Sequence, residues 1–282
     1  MEKKVCLVVV TWNRIEILKD TIERLQGQTV PITTLVIVDN GSNDGTIEYI
    51  KRLKEIHSNI HSVLIPDNPG FGAGLAEGMK YGLAQIDHDF FWLMDDDSKP
   101  ENDTLEKLIN TIEEHNFDML GLKGYNMVWG QPKIVKDDNV REVDYVLVDG
   151  AVIRGEVVKE VGVIGSHFFM MCEDYDYSKR LNKAGKRIGL LRTKYDQLHL
   201  GSEKFSKGTL WRGYYHSRNH LLILREYPSF KGYVGYIVRQ SKYIVAAILF
   251  APDRWRRAGL RIRGVFDALR SIKGKTIDPS KI

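Results

Sequence analysis

The first hundred residues alternate short apolar runs with segments of helical periodicity, and this alternation restricts the fold more than any other feature. Residues 5–11, 35–39, 60–65 and 90–94 are predominantly apolar and are each predicted to form a strand. Between them, apolar residues recur at spacings of three and four, as in residues 15–25. Strands that alternate with helices predict a parallel sheet with helices on both faces, and hence the α/β fold class.

Polar residues stand at the end of every apolar run. In such a sheet, ligands bind outside the carboxyl ends of the strands, so these residues are the candidates for chemistry. In chain order they are Thr11, Asn13, Arg14, Asp39, Asn68, Asp95, Asp96 and Asp97. Because the carboxyl ends of parallel strands meet at one edge, the residues predict a single site.

The three adjacent aspartates are the strongest of these signals. Their mutual repulsion would be relieved by a divalent cation, and carboxylate oxygens suit Mg²⁺ or Mn²⁺. Alternate residues of an extended segment point the same way, so we expect Asp95 and Asp97 to face the metal and Asp96 to face elsewhere. The alternative is an acidic surface loop that caps a helix beginning near Asn102.

Two further strand ends suggest a nucleotide. Asp39 can accept hydrogen bonds from a base or a ribose, as acidic residues do in other nucleotide-binding sheets. A simple turn is the alternative for Asp39, since Asp-Asn-Gly is a strong turn former. Asp39 can form such a turn and contact a nucleotide at the same time. The glycine-rich residues 68–74 precede a helix but match neither a Walker loop nor the dinucleotide fingerprint, so we assign them no phosphate contact.

Taken together, the motifs at residues 10–14, 38–46, 68–74 and 94–97 resemble those of family-two glycosyltransferases of the GT-A fold. The resemblance covers about residues 4–200. It implies that Thr11 and Arg14 flank a nucleotide, that Asp39 reads the base, and that the aspartates hold a metal on the diphosphate. The nucleotide-binding set so predicted is Thr11, Asn13, Arg14, Asp39, Asn68 and Asp96.

The predicted organisation is a GT-A catalytic domain over residues 1–205, followed by a helical, basic, amphipathic C-terminal region over 206–282. Within the catalytic domain, a nucleotide-sugar half covers about residues 1–100. The pattern then becomes α+β, which predicts an acceptor half over about 101–205. The last residues, from about 273, are expected to fray.

The resemblance also directs attention to Glu173 and Asp174, at the start of a predicted helix. In similar enzymes an acidic pair there supplies the base that deprotonates the acceptor hydroxyl. In a closed site, the pKa of a carboxylate can be raised so that the group acts as such a base. Asp174 is favoured, with Glu173 as the alternate and a plain N-terminal helix charge as the structural alternative. The implied reaction is one inverting displacement without a covalent intermediate.

Further residues bear on the metal, the acceptor and the donor. In galactofuranosyl-transferring relatives a histidine placed like His199 joins the aspartates on the metal, although a lone histidine can equally be structural. Trp129, Asp149 and Gly150 are candidate acceptor contacts. The predicted donor is UDP-galactofuranose, with rhamnosyl or other hexosyl transfer as the alternative. A non-catalytic nucleotide-sugar-binding protein is the alternative from another class.

The charge is unevenly divided along the chain. Residues 201–282 carry 17 Lys and Arg against 5 Asp and Glu, which leaves 24 basic and 32 acidic residues in the rest. Beyond Pro252, apolar residues including Trp255 recur at roughly helical spacing between arginines, a composition typical of a membrane-surface anchor. Packing on the chain's own body or on a second subunit is the alternative. Nucleic acid is not expected, because the aromatic residues lie on the apolar stripe.

The predicted location follows from the apolar runs and the cysteines. The longest unbroken apolar run, residues 243–251, falls short of the ~20 residues that span a bilayer. Only two cysteines occur, and Cys6 lies in a predicted strand, which favours a reducing compartment. We therefore expect a cytoplasmic protein, peripheral on the inner face of the cell membrane, whose acceptor is an oligosaccharide or lipid-linked glycan.

Overall fold

The computed structural model describes residues 2–136, 140–192, 196–197 and 209–279. The first half contains the strands β1 (Val5–Thr11), β2 (Thr34–Asp39), β3 (Ile60–Leu64) and β4 (Phe90–Asp95). The helices between them are α1 (Ile15–Gln26), α2 (Thr46–Ile56) and α3 (Phe71–Gln85). These four strands lie side by side in the order β3-β2-β1-β4, and all are parallel. The predicted α/β alternation is confirmed.

The sheet has a core on each face, which explains why β1 is apolar along its whole length. Leu7 and Val9 pack with the helices of one face, whereas Val8 and Val10 pack with α3 on the other. A strand covered on both faces reads as a continuous apolar run rather than an alternating one. All seven residues of β1 are buried.

Glycines bring α3 unusually close to the sheet. Gly74, Gly78 and Gly82 recur every four residues and so share one face of the helix. A Cβ added at each would lie 2.8, 2.3 and 2.5 Å, respectively, from a side chain of β1. These three glycines therefore have a packing role.

The second half adds short strands and two more sheets. The strands are β5 (Ser98–Lys99), β6 (Met119–Gly121), β7 (Gly124–Val128), β8 (Gln131–Ile134), β9 (Arg141–Glu142), β10 (Tyr145–Val146), β11 (Val152–Arg154), β12 (Ile188–Leu190) and β13 (Asp196–Gln197). The helices are α4 (Thr104–His115), α5 (Gly155–Val161) and α6 (Glu173–Lys183). The main sheet continues from β4 as β11-β6-β12-β9, with β11 antiparallel to both neighbours. A sheet of order β10-β7-β8 and the pair β13-β5 lie beside it.

The C-terminal region is helical, as predicted. It consists of α7 (Arg212–Glu226), α8 (Phe230–Phe250) and α9 (Arg254–Leu269). A Cβ at Gly264 of α9 would lie 2.3 Å from Ser217 Oγ of α7, so the two helices approach closely. The Tyr214 hydroxyl of α7 donates to Asp267 Oδ2 of α9 at 2.7 Å. Thus α9 packs on the body of the chain.

Only one face of α9 is used in that packing. Small residues, among them Ala258 and Ala268, are buried, and Val265 packs against the core, whereas most of the large apolar side chains of the predicted stripe are exposed. The exposed ones are Trp255, Ile262, Phe266 and Leu269. Among the described residues, no helix combines the length and the apolar character that a bilayer span requires.

The prediction that the chain frays after residue 273 is wrong for the part that the structure describes. Ile277 is buried, and its carbonyl accepts a hydrogen bond of 2.7 Å from the Tyr215 hydroxyl of α7. Thr276 Oγ1 accepts from the buried Arg218 at 2.8 Å. These contacts attach the segment after α9 to α7.

Candidate active site

A cavity of about 320 Å³ opens at the carboxyl ends of β1 and β4 and reaches the first residues of α6 and α7. Most of the predicted site residues meet here. Those that line it are Thr11, Arg14, Asn68, Asp95, Asp96, Asp97, Asp149, Glu173 and Asp174. The topology explains the convergence, because parallel strands deliver their carboxyl ends to one edge of the sheet.

Within the aspartate cluster, the carboxylate of each residue offers an oxygen within 4.8 Å of the others. The protein already uses both oxygens of Asp96, since Thr11 Oγ1 donates to one at 2.7 Å and Arg14 Nη1 to the other at 2.8 Å. In contrast, Asp97 Oδ1 is buried and has no hydrogen-bond partner among the described residues. Asp97 thus retains an oxygen that no described residue uses, whereas both oxygens of Asp96 accept hydrogen bonds.

Burial makes the cluster electrostatically costly without a cation. It raises the pKa of Asp95 well above its ordinary value, and Asp96 and Asp149 add to the shift. The pKa of Asp97 is raised to about 6, chiefly by burial, although Arg14 opposes the shift. Burial disfavours the charge on Arg14 as well, but Asp96 raises the pKa of this arginine overall. Two buried carboxylates and the half-buried carboxylate of Asp95, with Arg14 beside them, suit a hard divalent cation such as Mg²⁺ or Mn²⁺.

A second cationic side chain, that of Arg212, lines the cavity. It is not among the site residues predicted from the sequence. Arg212 is the first residue of α7, and its Nε is buried without a hydrogen-bond partner among the described residues. Burial lowers its pKa, the neighbouring Arg14 lowers it further, and Asp95 opposes the shift. Residue 212 fell within the predicted basic extension, so nothing local separated it from the other arginines there.

The acidic pair begins α6, as predicted. The chain enters this helix through Met171 and Cys172, both with left-handed backbone (φ 72° and 73°). Glu173 is only 8% exposed, and its Oε2 has no hydrogen-bond partner among the described residues. Asp174 Oδ1 accepts the Tyr175 N–H at 2.7 Å.

The two acids differ in the groups that stabilise their charged forms. Burial, reinforced by the neighbouring Asp174, raises the pKa of Glu173 to about 8. Burial also raises the pKa of Asp174, but only to about 6, because the Tyr175 N–H stabilises its anion. Glu173 Oε2 has no such donor among the described residues, so the geometry favours the negative charge on Asp174.

A close backbone contact places this pair next to the strand ends. Gly70 precedes α3 with a positive φ of 104°, and a Cβ there would lie 1.8 Å from the Phe169 carbonyl oxygen. The same oxygen accepts the Phe71 N–H at 3.1 Å. The glycine thus lets the loop after β3 contact the segment that leads into α6.

We expect Gly70→Ala to destabilise the fold by about 2 kcal/mol or more, because it adds both backbone strain and a clash with backbone. Gly185→Ala is the matched control, since Gly185 also has a positive φ (73°) but no atom within 4 Å of the position that an added Cβ would take. That control should cost about 1 kcal/mol. Denaturant unfolding of both variants measures the difference, and equal losses would contradict the clash.

Two of the predicted nucleotide-binding residues, Asp39 and Asn13, connect neighbouring loops through hydrogen bonds. Asp39 is fully buried, and its Oδ2 accepts the N–H groups of Gly41 and Ser42 at 3.1 and 2.9 Å. Asn13 Oδ1 accepts the Asn43 N–H at 2.7 Å. Neither Asp39 nor Asn13 lines the cavity, although Asn40, the residue after Asp39, does. The turn alternative for Asp39 therefore has direct support, and Asp39 Oδ1 still lacks a partner among the described residues.

The three predicted acceptor contacts lie at different places in the structure. Asp149 lines the cavity, where its Oδ1 accepts the Asp95 N–H at 2.9 Å, so it orients the aspartate loop. Gly150, the next residue, does not line the cavity. Its N–H donates to the Leu93 carbonyl at 2.8 Å. Trp129 does not line the cavity; it is exposed in the β7–β8 turn, with the Lys231 ammonium 5.3 Å from its ring centre. His199 lies outside the described residues.

A second cavity, of about 300 Å³, adjoins the first and shares Glu173 and Asp174 with it. Tyr125, Tyr145 and Tyr175 line it, and the first two rings stack with their centres 4.9 Å apart. The acidic pair therefore separates an aspartate-lined cavity from a tyrosine-lined one. No local sequence signal marks these tyrosines, because β7, β10 and α6 meet only in the folded chain.

The model of the family described as "Glycosyl transferase family 2" matches residues 6–178. The chain is 26% identical over 223 residues to the galactofuranosyltransferase GlfT1 of Mycolicibacterium smegmatis, a match that covers 71% of this chain and 72% of that protein. It is 22% identical over 216 residues to a Campylobacter jejuni GalNAc(5)-diNAcBac-PP-undecaprenol beta-1,3-glucosyltransferase, covering 77% of this chain and 61% of the relative.

Two solved structures have the same fold. S. aureus TarS (residues 1–349), also solved with UDP-GlcNAc, superposes with a TM-score of 0.62 at 17% identity over 95% of this chain and 83% of that one. The mannosyltransferase PcManGT of Pyrobaculum calidifontis, solved with GDP-Man and Mn²⁺, gives 0.61 at 13% identity over 96% of this chain and 88% of its own. The predicted GT-A fold class is confirmed.

Proposed function

Since the chain belongs to glycosyl transferase family 2, we propose that it is an inverting, metal-dependent glycosyltransferase that moves a sugar from a nucleotide diphosphate to a glycan hydroxyl. One observation carries the proposal: the aspartate cluster and the buried acidic pair of α6 line the same cavity. The donor diphosphate would then lie on one side of the reacting sugar, and the carboxylate that deprotonates the acceptor hydroxyl would lie on the other side.

On the donor side, Asp95 and Asp97 would hold the cation, whose charge would stabilise the departing diphosphate. Arg14 lines the same cavity and adds fixed positive charge for that leaving group. Asp96 positions Arg14, because it accepts the hydrogen bond of its guanidinium at 2.8 Å. The nucleotide would also be contacted by residues at or just after the ends of neighbouring strands, namely Asn13, Asp39 and Asn68.

On the acceptor side, Asp174 takes the proton of the attacking hydroxyl. The hydroxyl oxygen forms a bond to the anomeric carbon while the bond from that carbon to the diphosphate oxygen breaks. The electron pair of the broken bond leaves with the nucleotide diphosphate. A single displacement of this kind inverts the anomeric configuration and needs no covalent intermediate, with an oxocarbenium-like transition state.

For the donor we propose UDP-galactofuranose. The triple-aspartate motif and the similarity to GlfT1 support this choice, whereas the relatives solved with UDP-GlcNAc and GDP-Man show that the fold accepts other donors. Rhamnosyl or another hexosyl transfer is the second candidate. A nucleotide-sugar-binding protein without activity would need the aspartates but not the buried pair Glu173 and Asp174, whose raised pKa values suit proton transfer.

Nucleotide release from a panel of nucleotide sugars tests the function and the donor together. We expect Mn²⁺- or Mg²⁺-dependent release of UDP from UDP-galactofuranose at a rate at least about tenfold above that from other donors. Asp174→Asn is the control for base-dependent release. Binding of a nucleotide sugar without hydrolysis or transfer, in the presence of any acceptor tested, would contradict the enzyme assignment.

For the acceptor we propose a lipid-linked or cell-surface glycan at the inner face of the cell membrane. The related C. jejuni enzyme acts, by its name, on a glycan attached to undecaprenol through a diphosphate. The outward face of α9 carries Trp255, Phe266 and Leu269 among exposed arginines, which is a composition suited to an anionic membrane surface. A second copy of the chain is the other candidate occupant of this face.

We expect Trp255→Glu to reduce flotation with anionic liposomes about tenfold or more. The change removes an apolar side chain worth about 1.5–3 kcal/mol when buried and adds a negative charge beside the lipid. Ile56→Glu is the matched control, because Ile56 of α2 and Trp255 are each 73% exposed. Equal flotation of both variants and the wild type would contradict the anchor, and a concurrent change in oligomeric size would indicate a subunit interface instead.

A further inference from the structure

A third cavity, of about 630 Å³, lies between α7, α8 and α9. Four cationic side chains line it: Arg212, Lys242, Arg257 and Arg261. None of the described residues in its wall is acidic. Cations without acids in the same wall create a strongly positive chamber, which is complementary to an anion of more than one charge.

Much of the remaining wall is apolar, and Thr209 and His216 are polar residues within it. Leu210, Ala246, Ala247 and Phe250 contribute hydrocarbon surface to the cavity. A free phosphate or nucleotide would leave this surface without a partner. The combination of cations and hydrocarbon instead matches an amphiphile, with a charged head beside the arginines and an aliphatic chain beside the apolar residues.

The cavity connects the catalytic centre with the exposed apolar face. Arg212 and Met171 line both this cavity and the aspartate-lined one. At another point of the wall, Phe250 is 73% exposed at the end of α8, and the turn after it leads to the exposed Trp255. A ligand that fills the cavity could therefore reach from the catalytic centre to a membrane surface.

Two cationic groups are arranged to receive a ligand. Arg261 is held by Gln240, whose Oε1 accepts from its Nη1 at 3.0 Å, and lies 4.5 Å from the ring centre of Tyr243. Arg212 presents a buried Nε without a hydrogen-bond partner among the described residues. Planar guanidinium groups bind phosphate oxygens in a bidentate manner, so such arginines suit a diphosphate better than a single weak charge.

We infer that this cavity binds the diphosphate and the adjoining isoprenoid of a lipid-linked acceptor. The inference rests on the proposed function, since it assigns to that acceptor a place next to the acidic pair. The glycan would extend past Arg212 and Met171 toward Asp174, and the hydrocarbon would leave past Phe250. The cavity would thereby select acceptors by their lipid diphosphate, independently of the donor.

Binding of geranylgeranyl diphosphate tests the site without catalysis. Titration calorimetry of the full chain is carried out in EDTA, so that no metal recruits the diphosphate to the aspartates. We expect Arg257→Gln to weaken binding about tenfold, the effect of losing about 1.4 kcal/mol from one charge-assisted contact. Arg256→Gln is the matched control, because Arg256 is the neighbouring exposed arginine of α9 and does not line the cavity.

A second variant tests the hydrocarbon part of the cavity. Ala246→Phe fills the apolar wall and should weaken geranylgeranyl diphosphate about tenfold while leaving inorganic diphosphate unaffected. Far-ultraviolet circular dichroism and unfolding of each variant establish that it is folded. Equal binding by wild type, Arg257→Gln and Ala246→Phe would overturn the inference, as would equal losses in Arg257→Gln and Arg256→Gln.

Transfer assays separate this inference from the proposed function. We expect Arg257→Gln to raise the KM for a glycan on an isoprenoid diphosphate about tenfold and to leave transfer to the same glycan on a neutral alkyl group unchanged. A parallel loss with both acceptors would overturn the inference, as would a loss limited to vesicles of anionic phospholipid, which would indicate a headgroup site. Specific binding of the diphosphate without any sugar transfer would support the site and refute the proposed activity.

Discussion

Asp174→Asn is expected to lower kcat for sugar transfer by about 10²- to 10⁴-fold, the usual contribution of a positioned general base. The substitution keeps the size of the side chain and a group able to accept the Tyr175 N–H, but it cannot take the acceptor proton. Donor binding should remain close to that of the wild type, because the aspartates and Arg14 are unchanged. Steady-state transfer and nucleotide titration measure the two effects separately.

The pH profile identifies the base independently. Since the pKa of Asp174 is raised to about 6, kcat/KM of the wild type should hold above that pH and fall as the pH drops through it, when the carboxylate is protonated. In Asp174→Asn this acid limb should disappear when Mn²⁺ is saturating, because a bound cation keeps Asp97, whose own pKa is raised to about 6, in its ionised form. Asp176→Asn is the control on the same helix, because Asp176 is buried but does not line the cavity. Full activity of Asp174→Asn with an intact acid limb would transfer the role to Glu173.

Asp97→Asn is expected to lower transfer about 10³-fold at physiological metal concentration. The cation would supply several kcal/mol of charge stabilisation to the leaving diphosphate, and each 1.36 kcal/mol corresponds to a factor of about ten. EDTA should abolish wild-type transfer, and Mn²⁺ or Mg²⁺ should restore it. Asp95→Asn should behave in the same way, because Asp95 is the other proposed ligand.

Asp96→Asn distinguishes the ligands from the residue between them. Asp96 uses its oxygens for Thr11 and Arg14, so its substitution should weaken nucleotide binding and leave the metal concentration for half-maximal activity within about threefold of the wild-type value. Activity measured against Mn²⁺ concentration for the three variants separates these effects. Undiminished wild-type transfer after exhaustive chelation would contradict metal dependence.

Local pattern was sufficient for the four parallel strands of the first half, for their ends and for the α/β fold class. A strand covered on both faces must be apolar at every position, so β1 is recognisable from the residues alone. The polar residues that end such a run are forced to the edge of the sheet, which is why the aspartate cluster was predictable. The pair at the start of α6 needed the family resemblance, because two acids at a helix start are common without any catalytic role.

Tertiary contacts decided the remainder of the site. Arg212 and the stacked Tyr125 and Tyr145 come from segments whose periodicity contains no information about partners far along the chain. Asp149 was expected at the acceptor, whereas its carboxylate accepts the Asp95 N–H and orients the aspartate loop. Sequence spacing does not encode such pairings, since they depend on how the turn before β11 lies over the end of β4.

The basic C-terminal region shows the same division. Its helical and amphipathic character could be predicted from the spacing of apolar and charged residues alone, since the helical period and the charges are local properties. Which face of α9 packs was decided by α7, because close contact between the helices selects small residues such as Gly264 and Ala268. The large apolar side chains, Trp255 among them, were thereby left on the outer surface. Local periodicity thus predicted the strands of the first half and the polar residues at their ends, whereas packing between elements far apart in the chain selects the side chains that share a cavity.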